Sequence, residues 1–217
     1  MTTPRQGALA RQLERYFVRF NDAFWTFFME EVVPLLPDDE TPPAIADLGC
    51  GPGLFLRDVR ERLHRVRLVG VDQADDMLKH AKGLDHAGEA PAFVKGGVVE
   101  GIPLPDASVD LLTIAAVMHT FDDPFAFLDD VRRVLAPNGM LLVYDWVRVP
   151  FAEYLDYRQR EPGDAAEVRY PRALELFAAH NKYTAEDWLW IFDHAGYHVM
   201  KESWPYPRAA AFLTRPV

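Results

Sequence analysis

The stretch Ala44–Phe55, AIADLGCGPGLF, restricts the fold of this chain more than any other. A short apolar run (Ala44, Ile45, Ala46, Leu48) leads into glycines spaced Gly49-x-Gly51-x-Gly53. An amphipathic pattern then begins at Leu54 and continues through Leu56, Val59 and Leu63. Such a pattern reads as a strand, a tight turn and a helix, the βα unit of a doubly wound sheet. Glycine suits a backbone that must turn sharply and approach a ligand with no Cβ in the way. The spacing departs from the dinucleotide fingerprint G-x-G-x-x-G. An acid, Asp47, also precedes the first glycine by two positions. A carboxylate at that point repels phosphate and attracts an ammonium group, so the near end of the ligand should be cationic.

Three further segments stand in register with the first. Leu68-Val69-Gly70-Val71-Asp72 is a second apolar strand ending in an acid, about twenty residues on, the length of one crossover helix. Gly97 to Asp110, GVVEGIPLPDASVD, leads into an almost wholly apolar run, Leu111 to Val117. Arg133 to Gly139, RVLAPNG, ends a helical pattern before another apolar strand. Together these motifs resemble the class I S-adenosylmethionine-dependent methyltransferases, in particular their small-molecule branch. The resemblance covers Ala44 to Asp145. Asp47 or Asp72 alone could be an ordinary cap or turn residue; four motifs in order and spacing are far more specific.

The resemblance implies a seven-stranded, mostly parallel sheet with its last strand antiparallel, helices on both faces, and an N-terminal helical lid. It further implies that Asp47 orients the methionine ammonium of S-adenosylmethionine, that Gly49, Cys50, Gly51 and Gly53 make room for the amino-acid part, and that Asp72 takes the ribose hydroxyls. Relatives often carry an acid after the glycine of the adenine loop, where this chain has Val98. Adenine should then rest on backbone around Val98 and Val99 and on packing by Gln73 and Met77, with Glu100 an alternative source of the acid. The end of the fourth strand, from Ala115 to His119, should face the transferring methyl, and His119 is the candidate proton acceptor. It carries no Asn/Asp-Pro-Pro-Tyr signature and no Pro-Cys pair, which argues against the substrates of relatives that methylate adenine, glutamine amides or cytosine C5.

Composition narrows the class further. At 217 residues and 49% apolar, the chain can bury one substantial core. A net charge of −10 argues against a nucleic-acid partner. The densest arginines (Arg57 to Arg67) are interleaved with Asp58 and Glu61, as on a solvated helix face. One cysteine, Cys50, makes neither a disulfide nor a zinc cluster, so no metal is expected and the compartment should be reducing. No stretch has membrane length and no secretory leader opens the chain; a cytoplasmic protein is expected, and a homodimer is compatible with this reading.

The chain divides into an N-terminal helical lid (1–43), a cofactor-binding core (44–146), a helical insertion that caps the substrate (147–183), and a C-terminal helix with a β-hairpin (184–217), all within one domain. Strands are expected at 44–48, 66–71, 91–95, 109–115 and 139–146, and helices at 54–63, 74–83 and 124–135. The lid should hold two helices rich in aromatics, of which Tyr16 and Trp25 have polar tips suited to a pocket. Trp146, and His180 in the insertion, complete the substrate candidates. Methyl transfer to an O, N or C nucleophile of a small organic molecule is the function this implies. The alternatives are a rearrangement or decarboxylation that keeps the cofactor, and an inactive binding or regulatory subunit.

Overall fold

The computed structural model describes Tyr16 and residues 19–97, 101–160 and 170–217. Helix α1 (Asp22–Phe27) opens beneath Asn21, whose side chain accepts the Phe24 amide at 3.0 Å. It runs on through a π-helical turn (Phe28–Val32) and a 3-10 turn (Val33–Leu35). The first of the two expected lid helices falls mostly outside the described residues.

The alternation then follows the sequence expectation: β1 (Ala44–Leu48), α2 (Leu54–Arg62), β2 (Arg67–Asp72), α3 (Asp75–Lys82), β3 (Ala92–Lys95) and β4 (Val109–Ala115). A 3-10 turn (Met118–Thr120) leads to α4 (Pro124–Val134), where Pro124 takes the first turn and Asp123 accepts two amides as N-cap. Strand β5 (Leu135–Trp146) begins earlier than the sequence indicates. The opening of β5, residues 136–139, packs tightly against β4, so that a Cβ on Gly139 would meet the Val109 carbonyl at 2.9 Å, and the pairing slips between Val109 and Leu111. The insertion forms α5 (Phe151–Arg160) and α6 (Tyr170–His180). A capping box between Thr184 and Asp187 starts α7 (Ala185–His194), and β6 (Tyr197–Tyr206) and β7 (Ala209–Pro216) close the chain.

The sheet order is β3-β2-β1-β4-β5-β7-β6, with β7 antiparallel to both neighbours. Strand order reverses between β1 and β4, so the crevice at their carboxyl ends is where a doubly wound sheet receives its ligand. Alternate side chains feed two cores. One face packs Leu112, Ile114, Leu128, Val131 and Trp188 with α4 and α7. The other packs Ile45, Leu56, Val59, Leu111 and Tyr144 with α1 and α2, sealed by the rings of Phe24, Phe28 and Phe55. No helix among the described residues is long and apolar enough to cross a membrane.

Candidate cofactor and methyl-transfer site

The glycine loop is held by β2 and not by its own strand alone. The Gly49 and Cys50 amides both donate to the Val71 carbonyl, at 2.8 and 3.0 Å, and the next free amide, Gly51, donates to Asp72 Oδ2 at 2.8 Å. Gly49, Gly51 and Gly53 adopt φ of 70°, 54° and 80°. Side chains other than glycine adopt these angles with strain. Space also matters: a Cβ on Gly49 would meet Val117 Cγ2 at 2.7 Å, and one on Gly53 would meet Ala81 Cβ at 2.8 Å. Ala116 at the end of β4 has φ 52°, a strained turn of the kind that gathers at functional sites.

A cavity of about 460 Å³ opens above this loop. Of the residues singled out in the sequence, Tyr16, Asp47, Gly49, Cys50, Gly51, Asp72, Gln73 and Ala115 line it. Val117, within the expected Ala115–His119 stretch, lines it as well; Arg19 and Phe20 from the N-terminal segment, Phe55 from α2, and Thr120 and Phe121 beyond β4 line it too, and none of these last five was selected from the sequence. Aromatic density in the lid is the signal that pointed towards Phe20; nothing in the sequence set Arg19 apart.

Asp47 is 5% exposed. Burial pushes its carboxyl up to about 7; the Thr113 hydroxyl, donating to Oδ1 at 2.7 Å, works against that rise, and the Asp72 charge adds to it. Both oxygens of Asp72 are oriented by backbone, since Ala74 donates to Oδ1 at 2.8 Å. Burial, together with Asp47 and Asp72, pushes the Cys50 thiol up, so it stays protonated and packs as a small side chain. The Tyr16 hydroxyl donates to Asp58 Oδ2 at 2.6 Å; burial and that bond push the phenol well up.

The remaining candidates lie elsewhere. Gly53 caps α2 and Met77 is buried in α3, neither on the cavity wall. Trp25 is buried, stacked on Phe55 at 5.7 Å with the Arg62 guanidinium 4.0 Å above its ring. Trp146 sits beyond the wall, with the guanidinium groups of Arg208 at 4.4 Å and Arg19 at 5.1 Å over it. His119 is 3% exposed, while Val117, Thr120 and Phe121 around it line the cavity. Its Nδ1 lies 2.6 Å from Asp145 Oδ1 and its amide donates to Asp145 Oδ2 at 2.9 Å. Val98, Val99 and Glu100 lie outside the described residues, as does the side chain of His180.

The site fits S-adenosylmethionine on its own chemistry. A buried carboxyl held near neutrality asks for a cation, which an amino-acid ammonium supplies. Asp72 lines the cavity with each oxygen accepting a backbone amide, so lone pairs remain for two hydroxyls.

A family described as a methyltransferase domain matches residues 46–143. The chain is 30% identical over 156 residues to a probable methyltransferase, ltbC, of Aspergillus luteorubrus, covering 67% of this chain and 48% of that protein. It is 33% identical over 155 residues to the demethylmenaquinone methyltransferase of Thermus thermophilus, covering 65% of this chain and 70% of that enzyme. A solved S-adenosylmethionine-dependent methyltransferase from Aquifex aeolicus shares the fold, with a TM-score of 0.68 at 18% identity over 97% of this chain and 98% of that one. Apart from the Thermus enzyme, the chain spans about half or less of the length of the first curated relatives it matches.

Proposed function

The chain belongs to the S-adenosylmethionine-dependent methyltransferases, and on that premise we propose that it transfers a methyl group to an O, N or C nucleophile of a small organic molecule. The observation that carries this reading is the pair Asp47 and Asp72 on one cavity wall, at the ends of β1 and β2, with the glycine loop between them. When bound, the cofactor supplies an electrophilic sulfonium methyl. Asp47 would hold its ammonium, Gly49–Gly51 would make room for its amino-acid part, and Asp72 would take the ribose hydroxyls.

The chain's own contribution is orientation and dryness. Phe20, Phe55 and Phe121 give the cavity apolar walls that exclude water and accept an aromatic or otherwise apolar substrate. Among the described residues, the titratable groups on those walls are Tyr16, Arg19, Asp47, Cys50 and Asp72. Tyr16 is committed to Asp58, and the two aspartates to the loop and to Thr113. An acceptor that loses its own proton readily, such as a phenol or enol, suits this site better than one that needs a strong base. His119 then acts on the site's shape, by anchoring the turn that carries Val117, Thr120 and Phe121. A cytoplasmic location and a homodimer are compatible with this function.

The test is incubation with methyl-labelled S-adenosylmethionine and a metabolite extract. Label should move into a small organic product. Cofactor binding with no labelled product would favour an enzyme that keeps the cofactor for another reaction, or an inactive binding subunit.

A further inference from the structure

Strand β4 is buried from Leu111 to Ile114, and Thr113 is the one polar side chain in the run from Leu111 to Val117. A polar group in such a strand needs a partner. Register supplies it: Asp47 on β1 lies directly opposite Thr113 on β4. Neighbouring residues of parallel strands turn to the same face, so both side chains point to the side covered by α1 and α2. The Thr113 hydroxyl is 2.7 Å from Asp47 Oδ1 and 3.2 Å from the Ala46 carbonyl. A hydroxyl has one proton to donate, and the shorter bond to a carboxylate is the stronger use of it.

We propose that Thr113 is a positioning residue for the cofactor: its hydroxyl fixes the rotamer of Asp47 and favours the ionised carboxylate that receives the ammonium. This rests on the cofactor reading above. The side chain lies behind Asp47 and does not line the cavity, so it acts only through that carboxylate. The other groups facing Asp47 do not replace it. Asp72 from β2 opposes ionisation of Asp47, Cys50 in the loop stays protonated, and Tyr16 and Tyr144 have phenols that burial pushes up. Arg19 lines the same cavity and is the one cation on its described wall. The Asp47 carboxylate takes its hydrogen bond from Thr113.

The test is calorimetric titration of S-adenosylhomocysteine, which keeps the ammonium, into wild type, Thr113→Val and Thr113→Ser from pH 5.5 to 9. These pH limits are about 1.5–2 units either side of a group near neutrality. Thr113→Val keeps the shape and removes the hydroxyl. Its affinity at neutral pH should fall about tenfold, and the pH at which binding is half lost should move upward. Thr113→Ser restores the hydroxyl and should follow wild type. In an Asp47→Asn background, which binds cofactor weakly but measurably, Thr113→Val should cost no further affinity, which separates positioning from general damage to the core. A Thr113→Val protein with wild-type affinity and pH profile overturns the proposal, as does equal loss in the Asp47→Asn background. If Thr113→Val fails to fold, Thr113→Ser against Thr113→Ala makes the same comparison. A wild type that binds no cofactor at any pH overturns the cofactor reading itself, an outcome distinct from wild-type binding that Thr113→Val leaves unchanged.

Discussion

The amide of Gly51 donates to Asp72 Oδ2 at 2.8 Å, so the acid at the end of β2 fastens the ligand loop that follows β1. Asp72 is therefore two things: a ribose acceptor in the proposed function, and a clamp that sets the loop before any ligand arrives. Loop preorganisation of this sort lowers the ordering cost of binding.

Replacement of Asp72 by Ala should lower cofactor affinity by about 2–3 kcal/mol from the lost charge-assisted bonds. Thermal stability should fall as well, because the Gly51 and Ala74 amides lose their acceptor. Asp72→Asn, which keeps one acceptor oxygen, should recover part of the stability and less of the affinity. Calorimetry beside a thermal melt on both variants checks this; unchanged affinity in a folded Asp72→Ala protein would remove the ribose assignment.

Gly51→Val should abolish cofactor binding. Its φ of 54° imposes about 1–2 kcal/mol on a residue with a Cβ, more for a β-branched one. The melt should shift modestly while binding disappears. Normal binding by this variant would make the loop a structural turn only.

Asp47 gives a pH dependence of stability whose sign is opposite to the usual carboxylate. Its carboxyl is pushed up to about 7 in the folded protein, above its unfolded value near 4. The folded state therefore holds the extra proton, and stability falls as pH rises from about 4 to about 7, then levels off. Asp47→Asn removes that slope. Above neutral pH the unliganded variant should be more stable than wild type by about 2–4 kcal/mol, and it should bind cofactor more weakly. Denaturant titrations at pH 5 and pH 8 decide it: the stabilisation should be clearly smaller at the lower pH.

His119→Ala leaves the buried Asp145 carboxylate without its ring partner and should destabilise the protein by about 1–3 kcal/mol. Turnover should fall through displacement of Val117, Thr120 and Phe121, with a loss that is the same at neutral and high pH. A loss that vanishes at high pH would instead identify His119 as the base.

The sequence by itself determined the architecture, because each signal was local. Glycine spacing, apolar strand runs and amphipathic helical patterns depend on neighbours within a few residues, and β1, β4, α4 and the glycine loop fall where those patterns place them. Asp47 and Asp72 were legible for the same reason, as acids at the ends of apolar strands. What depended on pairing between distant segments was not. Thr113 reads as a threonine in a β-strand until the register sets it opposite Asp47. His119 reads as a histidine facing a crevice until Asp145, from the neighbouring strand β5, turns its ring into the protein. Trp25 has the polar tip of a pocket residue, yet the rings of Phe24, Phe28 and Phe55 claim it for the core. Burial and orientation are properties of the packed sheet and its covering helices, which a one-dimensional pattern does not contain.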